Sequence, residues 1–187
     1  MPSTSKYLLK GSSVRGYLLY LEQTGRRAEI LARVPPEAQA LMAEPPLPGT
    51  WVDAHLLADL IEALCQLEGR QAALDLGRAA VDKQMLPFFM PMLTGIMRVI
   101  GVSPGSLFAR YQHVVATIVR GLHYQYQPTG PRSGVMDFRY DSDRTMKWSS
   151  FAQNVTGFEA IFRVCGVKGH CELEVVGPQK GRCTLSW

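Results

Sequence analysis

The hydrophobic period changes part-way along this chain, and few folds satisfy that change. In DAHLLADLIEALCQLEG, residues 53–69, the apolar side chains Leu56, Leu57, Leu60, Ile61 and Leu64 recur at helical spacing. Asp53 suits the N-cap, and Gly69 closes the helix. SSVRGYLLYLEQTG repeats the pattern with Val14, Tyr17, Leu18 and Leu21, and ends at Gly25. The proline-punctuated stretch 35–49 holds one short helix and a connector. Residues 70–84 read as a helix with Ala72, Ala73, Leu76 and Ala80 inward. Ser103-Pro104 opens a helix over about 104–120, with Leu107, Phe108, Tyr111, Val114, Val115 and Ile118 on one side. Beyond this point VMDFRY alternates as a strand does. Trp148, Phe151, Val155, Phe158 and Phe162 then step along a helix expected from about 144 to 163, capped by Ser142 or Asp143. HCELEVV and RCTLSW pair across GPQKG as a hairpin. This order predicts an α+β fold: a helical N-terminal half packed on a strand-helix-hairpin unit with a small antiparallel sheet.

The 187 residues suit one domain, with a helical part at about 12–121 and a sheet-containing part at about 134–187. At 47% hydrophobic and 19% charged, the chain has material for a core. MLPFFMPMLTGIMRVIG is apolar nearly all round and reads as core, though its methionines also suit an adaptable ligand pocket. The formal charge of +4 is scattered and gives no nucleic-acid signature. No apolar run reaches the roughly 18 residues of a membrane span. MPSTSKYLLK lacks the apolar core of a secretory signal. Four cysteines are few for a disulfide scaffold, and Cys65 sits in an apolar stripe, so a reduced, cytoplasmic protein is expected.

Motifs for catalysis are lacking: there is no nucleophile elbow, phosphate loop or dinucleotide fingerprint, so a non-enzyme is expected. Cys165, His170, Cys171 and Cys183 are zinc-ligand types, but no C-x-x-C pair organises them, and no metal site is expected. Cys171 and Cys183 can face each other across the hairpin, which leaves a disulfide open. Asp137, Asp141 and Asp143 alternate and read as a solvated face. The sequon Asn154-Val155-Thr156 lies mid-helix and reads as chance.

RYDSDR, residues 139–144, carries Tyr140, Ser142 and Arg144. A guanidinium fork and two hydroxyls can hold carboxylates or another anion. The same residues also suit a structural latch. In that reading Tyr140 ends the strand, Ser142 or Asp143 caps the helix, and Arg144 pairs with a carboxylate or carbonyl of the helical half or holds an anion. Arg144 gains nothing from the positive end of a helix, which favours such a partner or a bound anion.

KGSSVRGYLLYLEQTG, the helix ending IVRG, RYDSDR, the aromatic helix and the closing hairpin together resemble the haem nitric-oxide/oxygen-binding (H-NOX) domains. That superfamily also holds the 4-vinyl reductase domains and the TRAPP tethering subunits. KGSSVRGYLLYL, WVDAHLLADLIEAL and the terminal TLSW further resemble a myxobacterial paralogous family of uncharacterised function. The first resemblance implies that Tyr140, Ser142 and Arg144 grip haem propionates and that a histidine on the preceding helix binds the iron. His113, 27 residues before Tyr140, is the nearest candidate. On a helical wheel it falls opposite the apolar stripe. Anchored on IVRG, Gln112 takes the histidine's place at the stripe's edge, and glutamine is a poor iron ligand. His123 lies in the following loop. The expected function is therefore a ligand-binding or partner-docking sensor-like regulatory domain without haem. The ligand would be small and apolar or anionic, the partner a signalling protein, and a homodimer is compatible with the sequence. Tyr140, Ser142, Arg144 and Gln112 are the ligand candidates. The alternative is a haem-dependent gas sensor with His113 as axial ligand.

Overall fold

The structure, a computed structural model, describes residues 6–87, 90–91 and 103–187. The helical half runs β1 (Leu8–Lys10), α1 (Gly11–Gln23), α2 (Arg27–Leu31), α3 (Pro36–Ala43), β2 (Trp51–Asp53), α4 (Ala54–Glu68) and α5 (Arg70–Ala80), which continues into a π-helical turn, Val81–Met85. Two short helices follow, α6 (Pro104–Phe108) and α7 (Tyr111–Val115), and then β3 (Val119–Arg120). The second half is β4 (Leu122–Gly130), β5 (Ser133–Tyr140), α8 (Trp148–Val164), β6 (His170–Gly177) and β7 (Lys180–Ser186). The α+β architecture expected from the sequence is the one observed. Most of the apolar run 85–101 lies outside the described residues, so its expected core position does too.

Local signals set several boundaries. Asp53 accepts a hydrogen bond from the His55 N–H at the start of α4, and Ser103 does the same for Ser106 at α6. Gly25 and Gly69, both at positive φ, follow the ends of α1 and α4. Gly121, at φ 71°, turns the chain from β3 into β4, where a Cβ would stand 2.2 Å from the Lys6 carbonyl oxygen.

Four antiparallel strands form the main sheet in the order β4-β5-β7-β6. The second half thus begins at Leu122, not at about 134, because LHYQYQPTG forms a full strand against β5. A second sheet, β2-β1-β3, is made of strands of two or three residues in the helical half. Met136, Phe138 and Tyr140 of β5 and Cys183 and Leu185 of β7 point to one face. Phe151, Val155, Phe158 and Phe162 of α8 pack on that face, as their spacing requires. Fully burying each such ring stabilises by about 1.5–3 kcal/mol. Trp148, at the start of the stripe, is half-buried under the Arg70 guanidinium, 4.6 Å from its ring. Leu21, Ile30, Leu57, Leu60, Leu64 and Leu76 form a second core within the helical half.

The other face of α8 joins the halves. Arg78 of α5 makes a two-pronged pair with Glu159, at 2.7 and 2.9 Å. Ser149 donates to Glu62 of α4 at 2.6 Å, and Gln153 donates to the Ala73 carbonyl. None of the described helices is long and apolar enough to cross a membrane.

Three expectations are corrected. The helix placed at 104–120 is two short helices and a strand, broken where the Arg110 N–H bonds the Leu107 carbonyl in a tight turn. α8 begins at Trp148, not at 144, because the preceding segment is pinned to the hairpin by Tyr140 N–H to Gln179 and Met146 N–H to Pro178. Ser142 and Asp143 therefore do not cap it; Lys147 stands at its N-cap without a side-chain bond. In the hairpin Cys171 pairs with Leu185 and Cys183 with Leu173, so the two cysteines are diagonal neighbours whose thiols hydrogen-bond without a disulfide.

Candidate functional site

Where α8, the sheet and the helical half meet, they leave a cavity of about 150 Å³. Leu57 and Ile61 of α4, Val114 and Val115 of α7, Ile118, and Ala160 and Ile161 of α8 supply apolar wall. Five tyrosines, Tyr7, Tyr17, Tyr111, Tyr124 and Tyr140, also line it. Burial pushes each phenol well above its ordinary pKa, so all five stay neutral across the physiological range. The rings meet edge to face: Tyr111 and Tyr124 at 4.8 Å, Tyr7 and Tyr140 at 5.1 Å.

Polar atoms gather at one side. The Tyr124 hydroxyl donates to Asn154 Oδ1 at 2.6 Å. Asn154 Nδ2 donates to the Tyr140 hydroxyl, also at 2.6 Å, and that hydroxyl donates to the Ser150 carbonyl at 3.0 Å. The Tyr111 hydroxyl lies over Gly157, where a Cβ would stand 2.4 Å away. Next to this chain the Ser150 hydroxyl, on a residue only 6% exposed, has no partner among the described residues.

Tyr140 also borders a second, polar recess at the surface, lined by Lys6, Asp53, His55, Arg139, Asp141 and residues 142–144. Here Arg144 reaches across to Asp59 of α4 with hydrogen bonds of 2.7 and 3.3 Å. Ser142 Oγ accepts from the Arg144 N–H at 2.9 Å and lies 3.1 Å from His55 Nε2. Burial lowers the His55 pKa, and Arg144 adds to this against the opposing pull of Asp53, Asp59 and Asp143. Asp141 takes a 2.6 Å bond from His123 and a 2.9 Å ion pair from Arg139. The His123 bond, then the nearby cations, hold the Asp141 carboxyl below its ordinary range.

Solved structures share this fold. An Fe(II) unliganded H-NOX protein from K. algicida matches with a TM-score of 0.71 at 10% identity, over 95% of this chain and 96% of that one. An H-NOX structure solved to probe the function of heme distortion matches at 0.65 and 10% identity, over 96% and 95%. One on the mechanism of H-NOX activation matches at 0.61 and 12% identity, over 95% and 96%. The chain has the H-NOX fold. No family model and no curated protein matches its sequence.

The fold allows each expected residue to be placed in H-NOX terms. Tyr140 lines both the cavity and the recess, whereas Ser142 and Arg144 line the recess alone. All three already hold protein partners. Gln112 is not part of the cavity lining; its side-chain oxygen accepts from the Tyr124 N–H at 2.7 Å. His113 is exposed on the outer side of α7, as the wheel requires. Among the described residues the cavity lining has no histidine, cysteine, methionine or charged side chain. These residues do not fit a histidine- or thiolate-ligated haem.

Sequence reasoning missed Ser150, Asn154, Tyr124 and His55. Two of them had a signal. Asn154 is a polar residue on the apolar stripe of α8, between Phe151 and Phe158, and such a residue needs a buried partner. Tyr124 alternates with Leu122 and Tyr126 as inward strand positions do. His55 sits one turn from a legible cap and has no signal of its own.

Proposed function

We propose that this chain is a sensor-like regulatory domain on the H-NOX frame, non-enzymatic and without haem, whose interior cavity takes a small ligand. The observation that carries this reading is how the family-type motif is used. Tyr140 bonds Ser150 and Asn154, Ser142 meets His55, and Arg144 pairs with Asp59. Of the groups that would grip propionates, Ser142 and Arg144 serve instead as a seam between the two halves, and Tyr140 joins it through its ring against Tyr7. The exposed His113 and the apolar, imidazole-free lining support the same reading. A ligand in the cavity would touch α4, α7 and α8 together, so its occupancy can alter how the halves pack and what surface a signalling partner meets.

The second reading is a haem-dependent gas sensor, and the likeness to structures described in terms of heme favours it. The absorption spectrum separates the two. The protein as purified, and after haem reconstitution, is expected to show no stoichiometric haem. One haem per chain with an intense Soret band, lost in His113→Ala, would establish the second reading instead.

A further inference from the structure

We infer that the cavity's ligand is a neutral molecule of about benzene size with one hydroxyl or carbonyl group, seated with that group on Ser150 Oγ. The inference rests on the haem-free cavity reading and names the ligand class for it. Three observations define the class. The first is size: a cavity of about 150 Å³ is large enough for benzene. The second is charge. With no charged side chain among its described lining residues and its phenols held neutral, the cavity has nothing to offset the cost of burying an ion. An anionic ligand, which the sequence left open, therefore belongs to the outer recess if anywhere.

The third observation is the unspent hydroxyl. The Tyr124, Asn154 and Tyr140 side chains are bonded to one another, whereas Ser150 Oγ is buried and has no partner among the described residues. A buried hydroxyl left without a partner carries a desolvation cost that a ligand's polar atom can relieve. Gln153 Oε1 is also unpaired, but it is turned towards α5, where a Cβ on Gly77 would stand 2.4 Å from it. Ser150 is thus the group left to meet a ligand. The edge-to-face tyrosine pairs beside it present ring edges and faces that a flat aromatic body extends.

Calorimetric titration of the full chain with benzene, phenol and benzoate tests this. Phenol is expected to bind roughly 3- to 10-fold more tightly than benzene, the worth of one net hydrogen bond. Benzoate is expected not to bind at the cavity. Ser150→Ala is expected to bring phenol down to the affinity of benzene, leave benzene unchanged, and keep or raise the melting temperature of the free protein. Equal binding of phenol and benzene by the unmodified chain would remove the role of Ser150 while leaving the cavity reading intact. A marked drop in melting temperature in Ser150→Ala would mean that the hydroxyl already has a partner, and would also overturn the assignment. If neither probe binds, the cavity reading itself fails. Ala58→Leu, which narrows the cavity from α4, is expected to weaken both probes together, and unchanged binding would place them elsewhere.

Discussion

Tyr140 borders two regions: a cavity walled by leucine, isoleucine, valine and neutral phenols, and a surface recess lined by Lys6, Arg139, Arg144, Asp53 and Asp141, from which Arg144 reaches Asp59. The two regions follow different physics. In the interior a lone charge costs several kcal/mol, and the described lining carries none. In the recess water screens the ions, and an exposed pair is worth about 0–1 kcal/mol. The residues that stand out as a binding motif in the sequence thus occupy the region where their contacts are already made and individually weak. The binding proposed above falls instead to the cavity, where the buried Ser150 hydroxyl has no partner among the described residues.

The contrast can be broken first at the interior. Phe158 is fully buried and meets Phe108, Tyr111, Tyr124 and Phe138. Phe158→Ala is expected to cost about 3–5 kcal/mol in denaturant unfolding. A loss below about 1 kcal/mol would mean that the α8 stripe is not core. Asn154→Ala comes next. It takes the acceptor from the Tyr124 hydroxyl and one of two partners from the Tyr140 hydroxyl, and a cost of about 1–3 kcal/mol is expected, lowered in a Tyr124→Phe background.

What the sequence disclosed follows from the range of each interaction. α4 was legible because Asp53, the leucine stripe and Gly69 lie within seventeen consecutive residues. The aromatic face of α8 and the closing hairpin were legible for the same reason. β1, β2 and β3 were not, because two or three residues carry no period and are strands only through their pairing. β4 was missed although Leu122, Tyr124 and Tyr126 alternate with His123, Gln125 and Gln127 as the two faces of a strand do. At the site, the partner of Arg144 was expected to be a carboxylate or carbonyl of the helical half or a bound anion, and it is the carboxylate of Asp59. Its identity, and the bond from Ser142 to His55, depend on groups 85 or more residues apart and leave no local trace.

A pH titration sharpens the comparison at the boundary. His55 is buried and faces the Tyr7 ring, Ser142, Asp53, Asp59, Asp143 and Arg144. Its folded pKa is lowered from 6.5, mainly by burial. The unfolded chain therefore binds the proton more readily, and stability rises with pH through this window. The contribution of neutral His55 is expected in full above about pH 6.5 and to fall away as pH drops through the lowered folded value. His55→Gln is expected to flatten that slope; an unchanged slope would assign it to other groups. Arg144→Ala completes the series. With its side chain about half exposed, it is expected to cost no more than about 1 kcal/mol.

Hydrogen exchange of residues 139–148, measured with and without added hemin, tests the seam most directly. The seam predicts protection of this segment in the free protein, faster exchange in Arg144→Ala, and no further protection when hemin is added. Free exchange in the protein alone, with protection appearing only with hemin and disappearing in Arg144→Ala, would make RYDSDR a grip for the cofactor and contradict the seam.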